Sequence, residues 1–181
     1  MQDKTIDRVG KRVVMEGLVT GNFGNFALRG EAGFWVKKSG AYLDQPGDLI
    51  FVPDSGEVPS GASHEWRVHA EIFRSTHHKA VLHTHPPNVI AASFTRAVIT
   101  PIDAEGLILC PSIPVVDGPC GSEILGKVVA KALQDGPIAV ARGHGTFAAG
   151  TTLEEAYLVT SAAEHACRIL QILGRLGPGE K

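Results

Sequence analysis

KAVLHTHPPNVI, residues 79–90, places two histidines one residue apart at the end of an apolar run and sets two prolines directly behind them. Ala80, Val81 and Leu82 have the composition of a short buried strand. On a strand, residues two apart face the same side with Cβ atoms roughly 6–7 Å apart, so His83 and His85 can converge on one ion while Thr84 faces away. The prolines suit the first turn of a helix, where a backbone N–H is not needed. PPNVIAASF, residues 86–94, is accordingly predicted to be that helix. The chain thus brings two imidazoles to one strand end and halts the strand there.

Upstream, residues 3–19 carry Ile6, Val9, Val13, Val14 and Leu18 at mixed three- and four-residue intervals, the stripe of a helix lying on a core. Glycines crowd into TGNFGNFALRGEAG, residues 20–33, and FALRG, FWVKKSG and DLIFVP read as three short strands in a meander. PSGASHEWRVHAEIFRSTHH, residues 59–78, begins in turn residues and becomes helical near Ser63. The Ser63 hydroxyl is placed to cap a helix carrying Trp66, His69 and Phe73, with Glu65 in its first turn. Downstream, GLILCPSIPVVD, residues 106–117, is expected to form short strands. SEILGKVVAKALQ, residues 122–134, is expected to be a helix, with Ile124, Leu125, Val128, Val129 and Leu133 at helical spacing. PIAVARGHGTFAAG, residues 137–150, reads as strand, tight turn and strand. TTLEEAYLVTSAAEHACRILQILG, residues 151–174, opens on a capping-box pattern and runs about six turns. Only the GPGEK tail is expected to fray. Helices and short strands mix without regular βαβ alternation, which predicts an α/β chain with a largely antiparallel or mixed sheet and helices against it. A doubly wound nucleotide fold is disfavoured, because GNFGNF lacks the GxGxxG spacing and no helix follows it.

The 181 residues suit one domain spanning 1–181. Hydrophobic residues make up 44% and charged residues 20%, as in ordinary globular chains, and no apolar run approaches the roughly 18–20 residues of a membrane span. The charged, amphipathic start lacks the apolar segment of a secretory signal, so a cytoplasmic protein without a membrane role is expected. A formal charge of -2 argues against nucleic acid as a partner and points to a small molecule. Cys110, Cys120 and Cys167 are odd in number and form no CxxC pair, so reduced, mostly structural cysteines are expected.

An HxH pair is by itself equally compatible with histidines satisfied by ordinary hydrogen bonds. A catalytic zinc takes neutral imidazoles at about 2.0–2.1 Å, usually three protein ligands with a position left open. His144 is the best-placed third ligand, since RGHG follows the strand PIAVA and its small neighbours allow close approach. His64 and His69 stand five apart, about 140° around a helix, and cannot share an ion from one helix face. His77, His78 and His165 read as structural or exposed, and His69 is undecided. Glu65 has two readings, favourable charge in a first helical turn or a general base beside an ion. GNFGNF, KSG and Ser63 offer amides and short donors from separate loops that could cradle a phosphate, although turns alone also call for glycine.

Taken in order, GNFGN, KSG, SHEWRVH, HTHP and RGHG resemble the class II aldolase and adducin-head family over nearly the whole chain. The resemblance implies a three-layer α/β/α fold whose central, mostly antiparallel sheet lies between helical layers. It also implies a homotetramer with active sites at subunit boundaries. The family's zinc ligands fall on His83, His85 and His144, and its catalytic glutamate on Glu65. Its phosphate loops fall on Asn22, Gly24 and Asn25, on Ser39 and Gly40, and on Ser63. Departures are Asn22 where a threonine or small residue is common, Lys38-Ser39-Gly40 for proline-threonine-glycine, and His64 at a second serine position. ITPIDAEG, residues 99–106, lacks a tyrosine that one bacterial member supplies from a neighbouring subunit. Non-catalytic adducin heads lack the metal histidines that this chain retains.

The chemistry so implied is zinc-dependent retro-aldol cleavage of a ketose 1-phosphate of the fuculose 1-phosphate kind. Its products would be dihydroxyacetone phosphate and a short aldehyde such as lactaldehyde. Glu65 would shuttle the proton at the enediolate carbon, and the loops around Asn25, Ser39 and Ser63 would hold the phosphate. Manganese or cobalt would also suit three imidazoles. The same scaffold admits a 4-epimerase, a sugar-phosphate dehydratase or a decarboxylase. A non-catalytic head domain with a vestigial site is the alternative of a different class.

Overall fold

Helix α1 (Gln2–Met15) opens the chain in the computed structural model, which describes residues 2–174; the GPGEK tail lies outside the described residues. The buried stripe of α1 is Ile6, Val9 and Val13. The helix is shorter than predicted because Gly17 adopts φ +68 and closes it. The Gly17 N–H bonds to Val14 O at 3.0 Å and that of Leu18 to Val13 O at 3.0 Å, the Schellman pattern. Leu18 is therefore buried beyond the helix, and Val14 faces solvent.

The meander follows as expected: β1 (Asn25–Arg29), β2 (Gly33–Val36) and β3 (Ile50–Pro53) pair antiparallel in sequence. Helix α2 (Trp66–Ser75) precedes β4 (Ala80–Thr84), which is buried along its whole length, and α3 (Pro87–Ser93) starts on a proline. After the two-residue β5 (Val98–Ile99), residues 106–109 fall in a helix, α4 (Ala104–Leu109), and not in the expected strand. Asp103 Oδ2 accepts from Gly106 N at 2.9 Å and caps the first turn, a local signal stronger than a four-residue apolar run without a period. The strand begins only at β6 (Ile113–Val116). In α5 (Glu123–Asp135), the cap is Ser122, whose Oγ accepts from Leu125 N at 3.1 Å. The predicted hairpin is β7 (Ile138–Ala141) and β8 (Gly145–Gly150). Helix α6 (Leu153–Ile172) is capped by Thr152 Oγ1, which accepts from Glu155 N at 3.2 Å, as the capping-box pattern implies.

The strands form one open sheet in the order β3-β2-β1-β4-β8-β7-β6-β5, antiparallel throughout except for β6 with β7, which α5 connects. Strand alternation divides the core in two. Phe26, Leu82, Ile138 and Ala148 pack toward α1, α3 and α6, whereas Ala27, Val81, Ala139 and Phe147 pack toward α2 and α5. The architecture is thus three layers, α/β/α, with a mostly antiparallel sheet. No described helix is long and apolar enough to cross a membrane. Because β1 and β8 run antiparallel to β4, the start of β1, the end of β4 and the start of β8 meet at one end of the sheet. Asn25 pairs there with His83, His83 with Phe147, and Thr84 with Thr146.

Candidate metal centre and active site

His83 is the penultimate residue of β4 and is buried. Its Nδ1–H donates to Thr146 O at 2.9 Å, which fixes the tautomer and frees Nε2. The ring lies flat on Phe147, with centroids 4.2 Å apart and planes at 18°. His85 sits just past the strand. Its backbone N–H donates to Leu18 O at 2.8 Å and its ring stacks on Phe23 at 5.8 Å. The two Nε2 atoms are 3.0 Å apart, a spacing that a shared proton or a shared cation satisfies.

His144 occupies the turn between β7 and β8, where its N–H bonds to Ala141 O at 3.0 Å. The following Gly145 is needed sterically: a Cβ there would lie 2.2 Å from Thr84 O, so only glycine lets β8 start tight against β4. The His144 ring consequently falls 4.7 Å from that of His83 and 5.0 Å from that of His85, centroid to centroid. Ligand nitrogens of all three lie within 4.8 Å of one another. Burial lowers each pKa, His83 well below the usual value and His85 to about 4, and the neighbouring imidazoles push His83 and His85 the same way. Neutral rings result at neutral pH, and the neutral ring is the form that binds a metal. The donor set therefore fits a divalent transition ion: three neutral imidazoles, one held by a carbonyl behind it.

Glu65 does not lie in the first turn of α2. It is the N-cap residue, and the Ser63 hydroxyl accepts from Glu65 N at 3.4 Å in place of capping helix amides. The carboxylate is 5% exposed, with Oε1 3.9 Å from His144 Nε2 and Oε2 without a hydrogen-bond partner among the described residues. Burial raises its pKa, opposed in part by the Gly121 amide and by His64. Such a carboxyl is suited to taking and returning a proton.

The loops complete one wall. Asn25 Oδ1 accepts from Nε2–H of His69, a fully buried ring whose pKa burial lowers to about 3, so His69 is a positioning residue for Asn25. With its oxygen engaged, the Asn25 amide has donors left to offer. Asn22 Nδ2 donates to Gly40 O at 3.2 Å and ties the two glycine loops together. Lys37, which sequence reasoning missed, is only 2% exposed; its Nζ donates to Asn22 O at 3.2 Å and to Ala41 O. Burial lowers the Lys37 pKa to about 8.

Every residue nominated from the sequence lines one cavity of about 420 Å³: Glu65, the histidines, and Asn22, Gly24, Asn25, Ser39, Gly40 and Ser63. Phe23, Lys37, His64 and Cys120 line it too and were not nominated. His78 is structural, bonding Leu133 O at 3.1 Å.

Residues 4–171 match the family model for the class II aldolase and adducin N-terminal domain. An L-fuculose phosphate aldolase from Methanococcus vannielii is 29% identical over 160 residues, 86% of this chain and 87% of that protein. A 3,4-dihydroxyphthalate decarboxylase from Rhodococcus jostii is 31% identical over 133 residues, 68% of this chain and 51% of that protein. Among solved structures, the L-fuculose-1-phosphate aldolase from Thermus thermophilus superposes with a TM-score of 0.91 at 34% identity, covering 98% of this chain and 97% of that one.

Proposed function

The chain belongs to the class II aldolase and adducin N-terminal domain family, and from that premise we propose a divalent-cation-dependent aldehyde-lyase. Its reaction is the cleavage of a ketose 1-phosphate, fuculose 1-phosphate-like, to dihydroxyacetone phosphate and a short aldehyde such as lactaldehyde. The observation that carries the reading is the meeting of His83, His85 and His144 beside Glu65 in one cavity. His83, His85 and His144 would hold a zinc or similar divalent ion, which would supply Lewis acidity toward a carbonyl oxygen of the substrate.

The chain's own groups do the rest. Thr146 O holds His83 in the ligating tautomer. Glu65 delivers a proton to the enediolate carbon and removes it in the reverse direction. The substrate's phosphate is held by the Asn25 amide, the Ser39 hydroxyl and Gly40 N–H, the Ser63 hydroxyl, and the Lys37 ammonium, all lining the one cavity. Asn22 contributes by fixing the loop geometry. A homotetramer with interfacial sites is part of the same proposal, supported by the apolar surface of α4, where Leu107 is exposed and Ile108 is 78% exposed. The three free cysteines accord with the reducing cytoplasm.

A decarboxylase is the second reading, favoured by the Rhodococcus relative and by Lys37, whose ammonium would serve a carboxylate as well as a phosphate. The test is to incubate the zinc-loaded protein with a panel of ketose 1-phosphates and, separately, with dihydroxy-aromatic acids, and to identify products by mass spectrometry. Dihydroxyacetone phosphate with a short aldehyde is expected. Carbon dioxide released from a dihydroxy-aromatic acid, with no sugar-phosphate cleavage, would move the assignment to the second reading, and silence on both would refute the enzyme.

A further inference from the structure

Helix α3 follows directly on His85 and is not capped from its own N-terminus. Its N-cap residue is Pro86, which has no side chain to bond the helix amides, and Pro87 in the first turn has no N–H to offer. The Ile90 amide makes the first bond within the helix, to Pro86 O at 3.0 Å. The N–H groups of Asn88 and Val89 remain, and one side chain on α6 takes both. Glu164 accepts from Asn88 N with its two oxygens at 3.2 and 3.1 Å, from Val89 N at 3.0 Å, and from Asn88 Nδ2 at 2.7 Å. The far end of α3 is latched separately to the turn that carries His144. There the fully buried Ser93 accepts from Gly143 N at 2.9 Å through Oγ, and Ser93 O accepts from the Arg142 guanidinium. Arg142 is held in turn by Asp117, with Nε 2.8 Å from Oδ1.

We propose that Glu164 is a positioning residue of the metal centre, anchoring the start of α3 on α6 and thereby setting where His85 stands; the inference rests on the three-histidine reading above. The link from anchor to imidazole is stiff. Only Pro86 and Pro87 separate His85 from the anchored Asn88. Their rings fix φ at about −65°, and a residue that precedes a proline is confined to extended backbone. Pro86 accordingly has φ -68 and ψ 124. A shift of the first turn of α3 therefore passes to His85 with little taken up in between. His85 is also the histidine with most need of such an anchor. His83 is fixed by its place in β4 and by Thr146 O, whereas His85 lies past the strand, with its backbone N–H on Leu18 O. The anchor has to be a carboxylate, because only donors converge on it and an isosteric amide would turn its own NH2 toward some of them. With Ser93 latched, loss of the anchor frees the His85 end of α3 and leaves the His144 end in place.

Zinc affinity of the folded full chain, measured by chelator competition, is the test. The parent, Glu164→Gln, His85→Ala and the double variant are compared at a temperature below every metal-free melt. Glu164→Gln should bind zinc about 10- to 100-fold more weakly than the parent. In the His85→Ala background the same exchange should change the affinity by less than about twofold, because the imidazole through which it acts is gone. A purely structural cap would lower the metal-free melt and leave the affinity of the folded protein unchanged. That outcome, or an equal loss with and without His85, overturns the positioning role. If Glu164→Gln does not fold, Glu164→Asp, one methylene short of the amides, carries the same comparison with the same outcomes. A parent that binds no zinc would overturn the metal centre itself, a failure that the first titration tells apart from failure of the anchor.

Discussion

Exchanging Glu65 for Gln separates chemistry from stability, because the two should move in opposite directions. Glu65 is 5% exposed at the entry to α2, and burial raises its pKa, which means that the fold disfavours the ionised form. Its folded pKa lies above the unfolded one, so stability is fullest at low pH and declines as pH rises through the raised value. A neutral amide of the same size removes that decline, and Glu65→Gln should melt at the parent temperature or higher at neutral pH. The amide cannot carry a proton. General acid–base catalysis contributes about 10²–10⁴-fold, or about 2.7–5.5 kcal/mol, and kcat should fall by that factor with KM little changed. Release of dihydroxyacetone phosphate, coupled to an NADH-consuming reductase, measures the rate, and scanning calorimetry measures the melt. A variant that kept kcat within tenfold of the parent would refute the assignment of Glu65, and one that lost activity together with a melt about 5 °C lower would make the residue structural.

Three further outcomes follow from the site. Lys37→Met should raise KM for a phosphorylated substrate by about 10- to 100-fold, the worth of a hydrogen bond to a charged group. Because Lys37 is a cation only below a pKa of about 8, the parent's KM should climb as pH passes that point, and the variant's should not. Urea midpoints should fall as pH drops below about 6.5. His69 stays neutral in the fold down to about 3 while the unfolded chain takes up the proton, so this one ring steepens the slope by about 1.4 kcal/mol per pH unit; a flat profile would contradict its burial. Gly145→Ala drives a Cβ to 2.2 Å from Thr84 O. It should cost about 1–3 kcal/mol in a denaturant melt and weaken zinc affinity in a chelator competition, because His144 moves with the strand.

The central elements are legible because their signals are local. The apolar block before His83, the Thr152 cap of α6 and the glycines around His144 each determine a conformation within a few residues. Helix α4 escapes a sequence reading for the opposite reason: GLIL is too short to show a period, and its Asp103 cap lies outside the run. Among the site residues, the histidines and Glu65 stand out by type and spacing. His69 cannot be placed from sequence, because its partner Asn25 is 44 residues away. Lys37 is hidden at the polar end of a strand, where lysines ordinarily reach solvent. Cys120 reads like the structural cysteines in sequence; its neighbours are supplied by a turn that lies on the entry to α2, and only the glycine after it hints at such an approach.

The proposed chemistry requires three imidazoles to share one ion that keeps room for substrate. Anomalous diffraction at the zinc edge, from crystals of the zinc-loaded protein, tests this most directly. The expected map shows a zinc peak about 2.0–2.1 Å from nitrogens of His83, His85 and His144, with a coordination position open to the cavity. A peak elsewhere, or an ion whose coordination is closed by protein atoms alone, would contradict it.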